Sequence, residues 1–276
     1  MAIISIIVAH NSEKFLDRFL PRHLSELGDE VCIVNSSASP LRINVDSVKV
    51  IETGSNVGYA SGCNRGIEFG LSVGASHFII INPDVYLPPS WLSRIKNTIF
   101  DDEYSCVGAF TAPLLGYNFK KDSPSGKVDS LGISHTWYGH WYDLSQGSPS
   151  ELVDFAAKPY NIPASCGALM ILTRDAVERL ITGRGYVFNE AYFMYKEDIE
   201  LSLHLQSLGK RIMIIPAAFA YHCRGWHPQR ADTPFWARRL SARNEVRLDL
   251  KYYKQFLPYS LLKYFYVQTY ERLTWF

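Results

Sequence analysis

No apolar run in this 276-residue chain approaches the ~18 residues that a membrane-crossing helix needs. The opening "MAIISIIVA" is apolar, but it lacks a basic leader and stops at His10-Asn11, so it reads as a strand and not as a signal peptide. Cysteine is scarce. The five thiols are Cys32, Cys63, Cys106, Cys166 and Cys223, an odd number with no C-x-x-C pair. That argues against a zinc cage or a disulfide framework and fits reduced, cytosolic thiols. Net charge is only +1, so nothing in bulk electrostatics favours a nucleic-acid partner. There is no P-loop, no G-x-G-x-x-G fingerprint, no internal repeat and no low-complexity linker.

What is present is an alternation. "IISIIVA" (3–9), "EVCIV" (30–34), "VKVIE" (48–52), "HFIII" (77–81) and "GALMILT" (167–173) read as strands, several of them apolar throughout. Between them lie helical patterns at 13–27 (with a break or kink near Pro21), 59–74, 90–100 and 174–181. "KEDIELSLHLQSLGK" (196–210) reads as an amphipathic helix with Leu201, Leu205 and Leu208 on one face. "RIMIIPAAFAYH" (211–222) gives one or two strands. Strands apolar on both sides, alternating with helices, predict an α/β fold with a mostly parallel central sheet covered on both faces. Ligands of such sheets bind beyond the carboxyl ends of the strands, where His10, Asn35 and Asp84 fall. Residues 114–163 read as loop-rich, and from Thr233 a helical pattern runs to about Phe256, is broken by Pro258, and restarts at 261–276.

Several stretches carry candidate chemistry, each with a plainer alternative. "NVGYASGCNRGI" (56–67) has glycines that let a ligand approach the backbone before a helix N-terminus, or that pack the helix tightly at Gly62 and Gly66. Asp84, after the buried strand in "FIIINPDVYL", suits a divalent cation whose remaining ligands are diphosphate oxygens; alternatively Asn82-Pro83-Asp84 is an Asx-type turn. Glu197-Asp198 starts a helix, where acids complement the macrodipole, but a carboxylate at a cleft edge also serves as a general base. His222 ends a strand and can complete a metal shell or sit hydrogen-bonded in the rim. His135 and His140 belong to "SHTWYGHWYDL" (134–144) on the side left for an acceptor.

The order of these stretches is more specific than any one of them. A first strand followed by His10-Asn11, a strand ending Asn35-Ser36, "NVGYASGCNRGI", "NPD", "GALM", "FNEAYFMYKEDIEL" and a late His222 together resemble family 2 glycosyltransferases of GT-A fold, close to their bacterial rhamnosyltransferase-like members. The resemblance spans roughly residues 3–225. It implies that Ala9, Asn11, Asn35 and Asn56 line the nucleotide pocket, and that Gly58, Gly62 and Asn64 shape it behind base and ribose. Asn82 then lies near the ribose or donor sugar. Asp84 binds Mg²⁺ or Mn²⁺ on the diphosphate with His222 assisting, Asp198 is the base with Glu197 beside it, and Gly167 and Ala168 face the acceptor. The loops at 114–163 and "RGWHPQR" (224–230), with Trp226, are expected to select that acceptor. Two departures stand out. The family usually has Asp where Asn35 stands, so an amide that can accept from a uracil or thymine imide, or pair with cytosine, replaces a carboxylate. The Asp-x-Asp position is reduced to Asn82-Pro83-Asp84, with one carboxylate.

The expected activity is inverting transfer from a dTDP- or UDP-sugar, dTDP-L-rhamnose first, to a lipid-linked or oligosaccharide acceptor in bacterial surface-polysaccharide synthesis. A UDP-hexose or furanose transferase of the same fold is the alternative within the class. A sugar-binding protein without activity is the alternative outside it. A sugar-phosphate nucleotidyltransferase needs a Gly-rich triphosphate loop, and "VAHNSEKF" (8–15) has no glycine. The expected organisation is a GT-A domain over 1–230, with a nucleotide-sugar half (1–112) and an acceptor half (113–230), then a helical extension over 231–276. From Arg224 to the end, ten Lys/Arg face four Asp/Glu, while the remainder carries 18 against 23. Ten aromatics lie between Tyr252 and Phe276. Such a tail either lies on an anionic membrane from the cytoplasmic side or packs on the domain or on a second copy in a homodimer.

Overall fold

The computed structural model describes residues 2–43, 45, 47–223 and 233–273. The chain begins β1 (Ile3–Ala9), α1 (Glu13–His23), β2 (Glu30–Asn35), β3 (Val48–Glu52), α2 (Tyr59–Ser72), β4 (His77–Ile81), β5 (Val85–Tyr86) and α3 (Trp91–Ile99). Six strands follow: β6 (Val107–Thr111), β7 (Leu114–Asn118), β8 (Ser123–Ser130), β9 (Ile133–His135), β10 (Trp141–Asp143) and β11 (Tyr160–Asn161). It ends with β12 (Leu169–Thr173), α4 (Arg174–Arg184), α5 (Glu197–Ser207), β13 (Arg211–Ile214), β14 (Ala220–His222), α6 (Phe235–Tyr252) and α7 (Leu257–Leu273).

Eight strands form the central sheet in the order β11-β13-β6-β12-β4-β1-β2-β3. The stretch β4-β1-β2-β3 is parallel, as is β13 on β6, while β12 runs antiparallel between β4 and β6. The apolar strands feed two cores. Ile3, Ile7, Ile79 and Ile81 point to the face covered by α1 and α3, with Leu16, Leu20, Trp91 and Ile95. Ile4, Ile6, Val8, Phe78 and Ile80 point to the face covered by α2 and α4, with Cys63, Ile67, Ala176 and Leu180. Both sides of β1 and β4 are therefore buried, which is why these strands show no alternation.

The loop-rich reading of 114–163 gives way to structure. β7 and β8 join β5 and β14 in a second, four-stranded sheet ordered β5-β14-β7-β8, and β9 pairs with β10. β8, "SPSGKVDS", contains Pro, Gly and a single apolar side chain besides Pro, Val128, so it carries no strand-like apolar run to read. Three helix details also differ. α1 continues through Pro21 to His23, and the carbonyl that loses its helical partner at Pro21 belongs to Asp17, an exposed residue. Leu208 caps α5 and is 42% exposed, while Leu201 and Leu205 are buried. Pro258 sits in the first turn of α7, where its missing N–H costs nothing, so that helix starts at Leu257.

Candidate active site

The carboxyl end of β4, the amino end of the antiparallel β12, the start of α5 and the second sheet surround a cavity of about 460 Å³. Asn82, Asp84, Gly167, Ala168, Glu197, Asp198 and His222 all line it. The backbone explains the convergence. Asn82 N donates to Ala168 O at 2.9 Å, and Val85 N donates to Asn82 O at 3.1 Å, so Asn82-Pro83-Asp84 is a turn that also aims Asp84. Gly167 N donates to Asp198 Oδ2 at 2.8 Å, while the Tyr59 hydroxyl donates to Gly167 O at 2.6 Å. A β-carbon on Gly167 would lie 3.1 Å from Asp198 Cβ, so glycine lets the two backbones close on each other.

Glu197 and Asp198 share a buried end of α5, and burial raises both carboxyls. Glu197 is only 5% exposed and is pushed up to about 8, first by burial and then by the charge of Asp198. Its Oε2 has no partner among the described residues. Asp198 accepts N–H groups on both oxygens, from Gly167 and from Ile199, each at 2.8 Å. Two donors favour the ionised form. The proton of the pair therefore resides on Glu197, and Asp198 is a carboxylate made more basic than usual by burial.

Asp84, His222 and Asp129 form a second group. Asp84 Oδ1 lies 3.3 Å from His222 Nε2, and Asp129 Oδ2 lies 2.7 Å from His222 Nδ1. Burial lowers the imidazole pKa, but the two carboxylates outweigh it and raise it to about 9. The second sheet makes this group: His222 pairs with Val85 of β5 and Gly116 of β7, and β7 carries β8 with Asp129 alongside. Among the described residues no cluster of three or more His, Cys, Asp or Glu side chains forms a metal cage. The donor set still suits a cation that takes its other ligands from a diphosphate. It offers one carboxylate, and one imidazole nitrogen whose far nitrogen is held by a carboxylate, as in many metal sites.

The residues expected to hold a nucleotide gather at a neighbouring corner, outside the cavity. Ala9 is fully buried at the end of β1, and Asn11 N donates to Ser37 Oγ at 3.0 Å. Asn56 Oδ1 accepts from Gly58 N at 3.0 Å, and Ser36 Oγ accepts from Val57 N at 2.9 Å. Asn35 Nδ2 donates to Ser39 O at 2.8 Å and Glu52 Oε2 at 2.6 Å, while its Oδ1 is buried with no partner among the described residues. Gly62 and Asn64 have packing jobs instead. A β-carbon on Gly62 would meet Val8 Cγ1 at 2.5 Å, and the Asn64 amide bonds Phe188 N and O, each at 2.8 Å. Gly58, at φ +83°, sits where a β-carbon would lie 2.5 Å from the Phe193 ring. Trp226, Arg224 and Arg230 lie outside the described residues. His135 and His140 pack on the C-terminal helices: His135 lies 5.2 Å from the Tyr253 ring, and His140 Nδ1 is 3.1 Å from the Tyr259 hydroxyl.

Sequence reasoning missed several participants. Asp129 has no motif and finds His222 from 93 residues away. Trp141, Tyr142 and Asp143 line the cavity from β10. Asn244 of α6 is fully buried, and its Nδ2 donates to the carbonyls of Tyr192, Met194 and Tyr195 at 2.7, 2.9 and 2.9 Å. Those residues belong to the turn that delivers Glu197-Asp198, in which Phe193, Tyr195 and Lys196 have φ of 62°, 69° and 71°. Left-handed backbone at non-glycine residues costs about 1–3 kcal/mol each, so it persists only where neighbours impose it. The C-terminal extension therefore shapes the site.

The sheet, the switch between parallel and antiparallel strands, and the acidic cavity at the strand ends define a GT-A sugar-transferase class of α/β fold. The Glycosyl transferase family 2 profile matches residues 5–181, and the chain belongs to that family. It is 26% identical over 200 residues to the low-salt glycan biosynthesis hexosyltransferase Agl10 of Haloferax volcanii, an alignment covering 71% of this chain and 58% of that protein. It superposes on GalNAc-T7 crystallised with UDP, GalNAc and Mn²⁺ (TM-score 0.60, 15% identity, 93% of this chain and 49% of that one). It also superposes on S. aureus TarS 1–349 in complex with UDP-GlcNAc (TM-score 0.53, 16% identity, 96% and 73%). At these identities the likeness to the two structures is one of fold. No described helix is long and apolar enough to cross a membrane.

Proposed function

We propose that the chain is an inverting glycosyltransferase that moves a hexosyl or deoxyhexosyl group from a uridine or thymidine diphosphate sugar to a hydroxyl of a glycan acceptor. The observation that carries this is Asp198: a buried carboxylate, fixed by two backbone N–H groups, facing a cavity shared with Asp84, Asn82 and His222. Asp198 takes the proton of the acceptor hydroxyl. The freed oxygen attacks the anomeric carbon, the bond to the diphosphate breaks, and the nucleoside diphosphate leaves from the opposite face. Glu197, holding its own proton, leaves Asp198 as the only charge of the pair. Asp84 and His222 would hold the divalent cation, which would neutralise the charge of the departing diphosphate. A nitrogen donor suits Mn²⁺ better than Mg²⁺.

Asn35 supports the choice of base. Both its N–H groups are taken, by Ser39 and Glu52, and its buried oxygen is left without a partner among the described residues, an acceptor that a nucleobase would reach once the corner opens to admit it. That acceptor matches the imide N–H of uracil or thymine and opposes the bare ring nitrogen of cytosine. The rhamnosyl donor, the lipid-linked acceptor, and the division into a donor half (1–112) and an acceptor half (113–230) are parts of the same proposal.

The test is release of nucleoside diphosphate from a panel of UDP-, dTDP-, CDP- and GDP-sugars with glycan acceptors, with Mn²⁺, Mg²⁺ or EDTA. Turnover confined to uridine or thymidine donors, and lost in EDTA, is the expected result. Turnover with CDP-sugars alone would overturn the base assignment, and binding of donors without any turnover would leave a sugar-binding protein.

A further inference from the structure

We infer that the outer surface of the α6–α7 hairpin docks on an anionic lipid bilayer. The two helices hold three carboxylates, and all three are turned inward: Glu245 and Asp249 are fully buried and Glu271 is 3% exposed. Glu245 accepts from Lys263 Nζ at 2.6 Å, and Glu271 accepts from Arg238 Nη1 at 3.0 Å. The exposed charges are all basic: Arg239, Arg243, Lys251, Lys254 and Arg272. Among the described residues the hairpin thus shows the solvent cations and no anions.

The apolar half of the surface is built by α7. Leu262, Phe265, Tyr266 and Leu273 follow one another at i, i+3, i+4 and i+11, on one face, and are 70, 61, 50 and 79% exposed. Trp236 and Leu250 of α6 are more than half exposed as well. On α6, Arg243, Val246, Arg247, Leu250 and Lys251 line a shallow groove of about 400 Å³ that mixes apolar stems with cationic heads. Leu and aromatic side chains in this setting enter the headgroup boundary, while Lys and Arg meet lipid phosphates. A second copy of the chain is a poorer occupant. A two-fold contact through this face would bring the cations of two hairpins together, with no surface carboxylate on either to pair them. An anionic membrane complements both halves of the surface.

The surface adjoins the site without belonging to it. Asn244 and Ser241 of α6 face the catalytic turn and the cavity, so a docked hairpin holds the cavity close to the bilayer, where a lipid-borne acceptor would arrive. The docking inference does not require the catalytic reading, and its test uses no turnover.

The test is co-sedimentation of the full chain with phosphatidylcholine vesicles and with vesicles containing phosphatidylglycerol at about a third, beside a Leu262→Ser, Phe265→Ser, Tyr266→Ser triple variant. All three side chains are exposed, so the variant should keep the wild-type melting temperature. The expected result is binding to the anionic vesicles only, weakened by salt, and at least about tenfold weaker in the variant. Absence of binding to anionic vesicles, or equal binding by the variant, would overturn the inference. So would a wild-type dimer in light scattering that the variant converts to a monomer, since the face would then be an interface between copies.

Discussion

At the scale of single residues, Glu197 and Asp198 divide one task. Their environments differ although they are adjacent: Asp198 has two N–H partners and Glu197 Oε2 has none among the described residues. The cost of this arrangement can be measured. The pKa of Glu197 in the fold, about 8, lies above its ordinary value of 4.5. A carboxyl with a raised folded pKa contributes stability below its unfolded pKa and loses it as pH rises through the folded one. Glu197→Gln should therefore raise the melting temperature by at least about 3 °C at pH 8.5 and change it little at pH 5. A uniform shift across that range, or none, would show that Glu197 does not hold the buried proton. Glu197, Asp198, Asp84 and His222 were legible in the sequence because each stands at the end of a recognisable strand or the start of a helix. Asp129 was not, because "KVDS" carries no pattern and its partner lies 93 residues further along the chain.

Elements show what the glycines and α6 do. Gly62, Gly66 and Gly70 form a stripe on α2 that lies on β1 and β4; a β-carbon on Gly66 would come within 2.2 Å of Ile6 Cγ2. Ile6 is β-branched and buried in β1, so it has little room to move. Gly66→Ala should destabilise the protein by about 1–3 kcal/mol in denaturant titration, despite the roughly 1 kcal/mol that alanine contributes to a helix. A neutral or stabilising result would mean that α2 lifts off the sheet at little cost. Both readings of this stretch were open from sequence, and the close approach of helix to strand separates them at Gly62 and Gly66. Asn244 was illegible for a different reason. It looks like any polar residue of a helix, and its value lies in three carbonyls about 50 residues upstream. Asn244→Ala should lower kcat by about tenfold or more and change the affinity for the nucleotide less, since the turn it holds leads directly into Asp198, the proposed base. An equal fall in both would make Asn244 a general stability residue.

At the scale of the whole molecule, two sheets meet at one cavity. The central sheet supplies Asn82 and Gly167-Ala168 through β4 and β12, and the second sheet supplies Asp84, Asp129 and His222 through its connections. The central sheet was legible because its strands are apolar on both faces. The second sheet was not, since one outer strand, β5, is two residues long and the other, β8, contains Pro, Gly and Ser in place of an apolar run, so the region between Leu114 and Pro163 looked like loop. The C-terminal helices looked like an appendage, yet Asn244, Lys251 and Tyr252 bond the turn before α5 and Glu200 of α5 directly. Sugar transfer in this assembled cavity depends on Asp198 acting as the base. Its most direct test pairs two readings on Asp198→Asn: turnover of the donor that the wild-type protein uses, and affinity for the matching nucleoside diphosphate. The expected result is turnover lower by about 10² to 10⁴-fold, with nucleotide affinity within a few-fold of wild type. Turnover near the wild-type level would contradict it.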